Sequence, residues 1–172
     1  KKSELINQRE ELLDYLTTEV SSFISNALTH SLNQMEATRF QNLYTIVINI
    51  ERIGDHAINF NEYGEVLNRH KTPLPKVNQD EVYQMKVTSL DILTLVENPE
   101  QTDYESVRAM VKEKEQEIDD LTIKFRENQL QRMEQGGKDS SEISLVYSEL
   151  LTDYERIGDH ALNISKYTKE MF

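Results

Sequence analysis

The decapeptide ERIGDHAINF at 51–60 returns as ERIGDHALNI at 155–164, with eight of ten positions identical across an offset of 104 residues. A match of that length marks a tandem duplication, so whatever shape one half takes, the other half is expected to share. The repeated residues are not only apolar. Glu51 and Asp55 in the first copy recur as Glu155 and Asp159 in the second. Apolar repetition would speak for a core alone, whereas acidic repetition predicts a duplicated site.

The elements follow from breaks, caps and periodicity. Pro73 and Pro75, Asn98-Pro99 and Gly136-Gly137 interrupt the chain. Asn33 with Glu36, Asn78 with Glu81, Thr102 with Glu105 and Asp139 with Glu142 each have the spacing of a capping box. The expected helices are 3–29, 35–70, 79–97, 102–135 and 139–171, and no stretch alternates in the manner of a strand. Leu43, Ile46, Ile50, Ile53, Ala57, Phe60, Gly64 and Leu67 step by threes and fours. The second copy gives Tyr147, Leu150, Tyr154, Ile157, Ala161 and Ile164. Leu13, Leu16, Val20, Phe23 and Ala27 make a seam in the first helix, and Ile118, Leu121 and Phe125 start the matching one in the fourth. Such stripes pack against neighbouring helices, each large side chain contributing ~1.5–3 kcal/mol when buried.

Aligned on the motif, helix one matches helix four at an offset of 105, and helix two matches helix five at 104. The third helix precedes the second pair. Its counterpart would lie before Lys1. The expected fold is therefore all-α, a tandem pseudo-repeat of antiparallel three-helix bundles of spectrin-repeat-like form, with the leading helix of the first repeat absent. The expected division is 1–75, two helices, and 76–172, three helices.

Charge narrows the function. Thirty-one Asp and Glu stand against 19 Lys and Arg, for a net charge of −12. That balance disfavours nucleic acid and anionic membrane surfaces and favours cations. No cysteine is present, which excludes disulfides and thiolate metal sites and fits a cytoplasmic protein. No apolar run approaches the ~18 residues of a membrane span, and no signal peptide is visible. The chain starts at Lys1 without Met, which fits a piece of something longer.

Four Glu-x-x-x-Asp pairs stand in register with the repeat: Glu10 with Asp14, Glu51 with Asp55, Glu115 with Asp119 and Glu155 with Asp159. One such spacing is expected by chance in a chain this acidic; four in register are not. Glu149 with Asp153 reads as an accident, because Thr45 and Asn49 stand at the corresponding positions. Like charges one turn apart destabilise an exposed helix by ~0.2–0.5 kcal/mol. Where two such helices meet, the repulsion calls for protons, Arg or Lys, or metal. Carboxylates alone suit hard cations: iron, manganese, magnesium or calcium, with zinc as a further candidate. The plain alternative is that these acids are solvated or paired with Lys and Arg. His56 and His160 lie ~100° off the acid stripe and read as surface or supporting donors rather than ligands. Asn59 and Asn163 extend the stripe and are placed to orient carboxylates or to bind the opposite helix. Gly54 and Gly158 are expected to let helices approach closely.

These residues resemble the PhoU family, on ERIGDHAINF, ERIGDHALNI and the EELLD and EQEID segments. The resemblance implies three-helix bundles whose acidic motifs hold multinuclear metal clusters, iron foremost, at the protein surface. It makes Glu10, Asp14, Glu51 and Asp55 one metal site and Glu115, Asp119, Glu155 and Asp159 the other. It implies regulation of phosphate transport through a membrane phosphate transporter, in cis or in trans, or a phosphate-signalling kinase. The GDH form of both motifs and the segment LQRMEQGGKDSSEISLVYSELLTDYERIGDH resemble the cytosolic C-terminal domains of sodium–phosphate cotransporters. A stand-alone negative regulator of phosphate uptake is the alternative context, and a homodimer is left open.

Catalysis is not expected. Carboxylate-bridged di-iron oxidases use Glu-x-x-His, yet the residues three before each histidine are Ala27, Ile53, Leu67 and Ile157. No nucleophile–base constellation is visible. The remaining alternative is a metal-free helical adaptor.

Overall fold

The computed structural model of the protein describes residues 2–71, 73–97, 103–136 and 141–171. Among them are five helices and no strand: α1 (Lys2–Leu28), α2 (Gln34–His70), α3 (Lys76–Glu97), α4 (Tyr104–Glu134) and α5 (Ser141–Met171). None of these is long and apolar enough to cross a membrane.

Local chemistry sets the ends. Asn33 caps α2: its side chain accepts from the Glu36 amide at 3.0 Å, and the Glu36 carboxylate accepts from the Asn33 amide at 2.9 Å. At the other end Lys71 takes a left-handed conformation, φ 53°, and its amide donates back to Asn68. Pro73 follows and cannot continue the helix. The Pro75 carbonyl accepts from the Gln79 amide at 3.0 Å, so α3 begins at Lys76. Asp103 caps α4 by accepting from the Ser106 amide at 2.9 Å.

Two of the expected caps change. Asn78 and Glu81 are not a capping box, because α3 has already started at Lys76 and both side chains are buried inside the bundle. At α4 the observed cap is Asp103. The expected caps Thr102 and Asp139, and the breaks at Asn98-Pro99 and Gly137, lie outside the described residues.

The helices pack in a definite order. α1 lies on α2, α2 on α5, and α3, α4 and α5 each touch the other two. The apolar core sits among the last three, with Met85, Ile92, Val111, Ile118, Tyr147, Leu151 and Ala161 fully enclosed. The α4 and α5 seams are buried as their periodicity predicts. The α1 and α2 seams are not. Leu16 is 48 % exposed, Phe23 64 % and Ile50 43 %, and Ala57 is also exposed. The reason is geometric: α3 packs on both α4 and α5, whereas among the described residues α5 packs on α2 and no helix comparably covers both α1 and α2.

Candidate metal centre

Glycine decides how closely each acidic pair meets its partner. On α2, Gly54 faces the Leu13 side chain of α1 so closely that a Cβ would collide with it. On α5, Gly158 faces Ile118 of α4, where a Cβ would lie 3.2 Å from the Ile118 Cδ1. Each glycine directly precedes a motif aspartate, and so does each residue it meets. Close approach at this level therefore draws Glu51 and Asp55 towards Glu10 and Asp14, and Glu155 and Asp159 towards Glu115 and Asp119.

In the first cluster, Asp14, Glu51 and Asp55 each offer a carboxylate oxygen, and these oxygens lie within 4.8 Å of one another. Two oxygens on one hard cation, each at ~2.0–2.6 Å, are at most ~4–5 Å apart, so the spacing suits a shared ion. Asp14 and Asp55 are exposed and Glu51 is half-buried, which leaves the cluster open to solvent. Glu10 stands beside this trio. Partial desolvation, then the charges of Asp14 and Asp55, raise its carboxyl above the usual glutamate range. Glu51 is raised likewise, by desolvation first and then by Asp55 and Asp14. The charge of Arg52 opposes the shift at Glu51 without cancelling it, so partial desolvation and mutual repulsion together keep both carboxyls raised.

The second cluster gathers the other four acids but treats them differently. Desolvation, then Asp119 and Asp159, raise Glu115. Desolvation, then Glu155 and Asp159, raise Asp119. Here, however, cations are present. The Arg126 guanidinium donates to Glu155 Oε2 at 3.1 Å and to Thr152 Oγ1 at 3.0 Å. Arg156 donates to Asp159 Oδ2 at 3.3 Å. For these two acids the plain reading of arginine pairing holds. Among the described residues, the second cluster has no trio of oxygens as close as that of the first.

His56 and His160 are neither surface donors nor members of the acid clusters. They lie half-buried where α2 meets α5, with rings stacked at 5.5 Å between centroids. His56 Nδ1 lies 2.8 Å from Asp153 Oδ1 and must donate to it, since an ionised carboxylate only accepts. Asn59 and Tyr63 donate to the same carboxylate, at 3.3 and 2.8 Å. Across the interface His160 pairs with the Asn49 side-chain oxygen at 2.9 Å, and Asn163 donates to it at 3.3 Å. Asn59 and Asn163 thus bind the opposite helix, one of the two roles expected of them. Burial, then the nearby charges of His56 and Arg52, lower the His160 ring below the usual range.

Asp153 is a functional residue outside the four repeated acidic pairs. It looked accidental because Asn49 stands one repeat away, yet both are buried acceptors for the same His and Asn pattern. The signal was a polar residue inside an otherwise apolar seam in both copies, a feature that a search for repeated acids does not register.

Compared with models of known protein families, residues 82–168 match the one described as the PhoU domain, a span of half the chain that runs from α3 into α5. Among curated proteins, none matches the chain.

Proposed function

This chain belongs to the PhoU domain family, and on that premise we propose that it is a cation-binding helical domain that regulates phosphate homeostasis. The observation that carries the metal-binding part is the convergence of Asp14, Glu51 and Asp55 on an open surface, where among the described residues no Lys or Arg is paired with them. The donor set fits: all-carboxylate sites favour hard cations, iron, manganese, magnesium or calcium, with zinc as a further candidate, and membership of the PhoU family puts iron first among them. A cation bound there supplies positive charge to which phosphate oxygens can add. The chain's own residues supply the spacing and the negative charge that hold it. Binding and regulation are proposed rather than catalysis, because no nucleophile with an adjacent base accompanies the acids.

The setting we propose is the cytoplasmic face of a membrane, with this chain acting on a phosphate transporter as part of a sodium–phosphate cotransporter. The GDH form of both motifs supports that setting over a stand-alone regulator.

Elemental analysis of the purified chain, beside a variant with Asp14, Asp55, Asp119 and Asp159 changed to Ala, tests the proposal. The expected result is bound metal in the parent and none in the variant, with radiolabelled phosphate retained in dialysis only by the metal-loaded parent. Phosphate retained equally after chelation would refute the metal-linked part. Absence of metal after incubation with iron, manganese and zinc would leave a helical adaptor whose acids pair with a basic partner.

A further inference from the structure

The two carboxylate clusters share a sequence pattern but differ in their surroundings. At the second, four acids face two guanidinium groups. Arg126 reaches from α4 to Glu155 on α5 and is seated by Thr152. Arg156 holds Asp159. At the first, the position of Arg126 is taken by Ser21, at the offset of 105, and that of Thr152 by Ile48, at the offset of 104. Neither the cation nor its hydroxyl seat exists there. Arg52, the counterpart of Arg156, acts on Glu51 through its charge, but among the described residues no hydrogen bond or ion pair joins it to a first-cluster acid, as Arg156 is joined to Asp159.

We infer that Arg126 is a built-in competitor for the cation at the α4–α5 cluster, which makes the two clusters unequal: the α1–α2 cluster loads first, and the α4–α5 cluster loads by displacing Arg126 from Glu155. This rests on the metal-binding reading above and adds an order to it. The physical basis is direct. A guanidinium and a metal ion compete for the same carboxylate charge, and a fixed positive group beside a site repels an incoming cation. The competitor is also displaceable. Arg126 and Glu155 are 42 % and 31 % solvent-exposed, so water screens their attraction and offers the released guanidinium a solvated alternative. A buried, fully enclosed pair would block the cluster outright; this one sets a threshold.

The test is calorimetric titration of Mn2+ into metal-stripped full chain. Asp14→Asn with Asp55→Asn isolates the second cluster, and Asp119→Asn with Asp159→Asn isolates the first. The first cluster should bind Mn2+ more tightly than the second. Adding Arg126→Ser to the chain with only the second cluster should tighten its binding by up to about fivefold, the upper end of what a screened ion pair commands. Arg126→Gln, which keeps much of the side-chain stem, should move affinity in the same direction and so separates charge from packing. The reciprocal change, Ser21→Arg, should weaken the first cluster. Unchanged or weaker binding in both Arg126 variants would overturn the inference while leaving metal binding intact. No Mn2+ bound by any chain would overturn it together with the metal reading.

Discussion

Glu81 is a buried carboxylate of the three-helix unit, and its energetics are set by its donors. Asn128 donates to it at 2.7 Å, Arg132 at 3.1 and 3.0 Å through two nitrogens, and the Tyr147 hydroxyl closes the set. Burial alone would raise its pKa; the bonds from Arg132, Tyr147 and Asn128 outweigh that and hold it below the usual glutamate range. A lowered folded-state pKa contributes stability that is present above the unfolded value of ~4.3 and lost as pH falls through the folded one. Glu81→Gln should therefore cost roughly 3 kcal/mol at neutral pH, the low end of what orphaning one partner of a buried pair costs, since Arg132 keeps some solvent contact. The gap between parent and variant in urea unfolding should shrink below about pH 4. The same residue shows where sequence reading stops. Three-residue spacing after Asn78 is equally that of a cap and of two buried side chains, and only Arg132, far along the chain, tells them apart.

At the scale of elements, helix type and extent followed from periodicity and punctuation, and the seams of α4 and α5 are buried where those patterns put them. Burial of the α1 and α2 seams did not follow, because an apolar stripe records a face that can be covered without saying what covers it. Leu16 and Leu121 stand one repeat apart, yet Leu16 is 48 % exposed and Leu121 is 7 %. Leu121→Ala should cost ~2–5 kcal/mol and Leu16→Ala less than ~1 kcal/mol, measured by denaturant unfolding. Equal costs would mean that α1 is covered in solution as fully as α4.

The whole molecule is joined through α2 and α5. Phe60 stacks on Tyr154 at 4.5 Å, and the His56–Asp153 and His160–Asn49 pairs cross the same interface in opposite directions. Each motif helix thus faces two ways. Glu51 and Asp55, or Glu155 and Asp159, serve the acid cluster within one half, while the histidine that follows each aspartate binds the other half. The grouping of the acids was readable because four pairs shared one register and two glycines marked the close approach. The inequality of the clusters was not, because Arg126 lies a long way from Glu155 in sequence and its counterpart Ser21 is unremarkable until the two sites are compared.

The central claim is that the α1–α2 acids hold a cation. Anomalous diffraction from crystals of the metal-stripped chain soaked in Mn2+ tests it most directly. The account predicts a peak bounded by Asp14, Glu51 and Asp55, present at lower Mn2+ concentration than any peak beside Glu155 and Asp159. Crystals that show no anomalous density at either cluster, or show it only elsewhere on the surface, would contradict it.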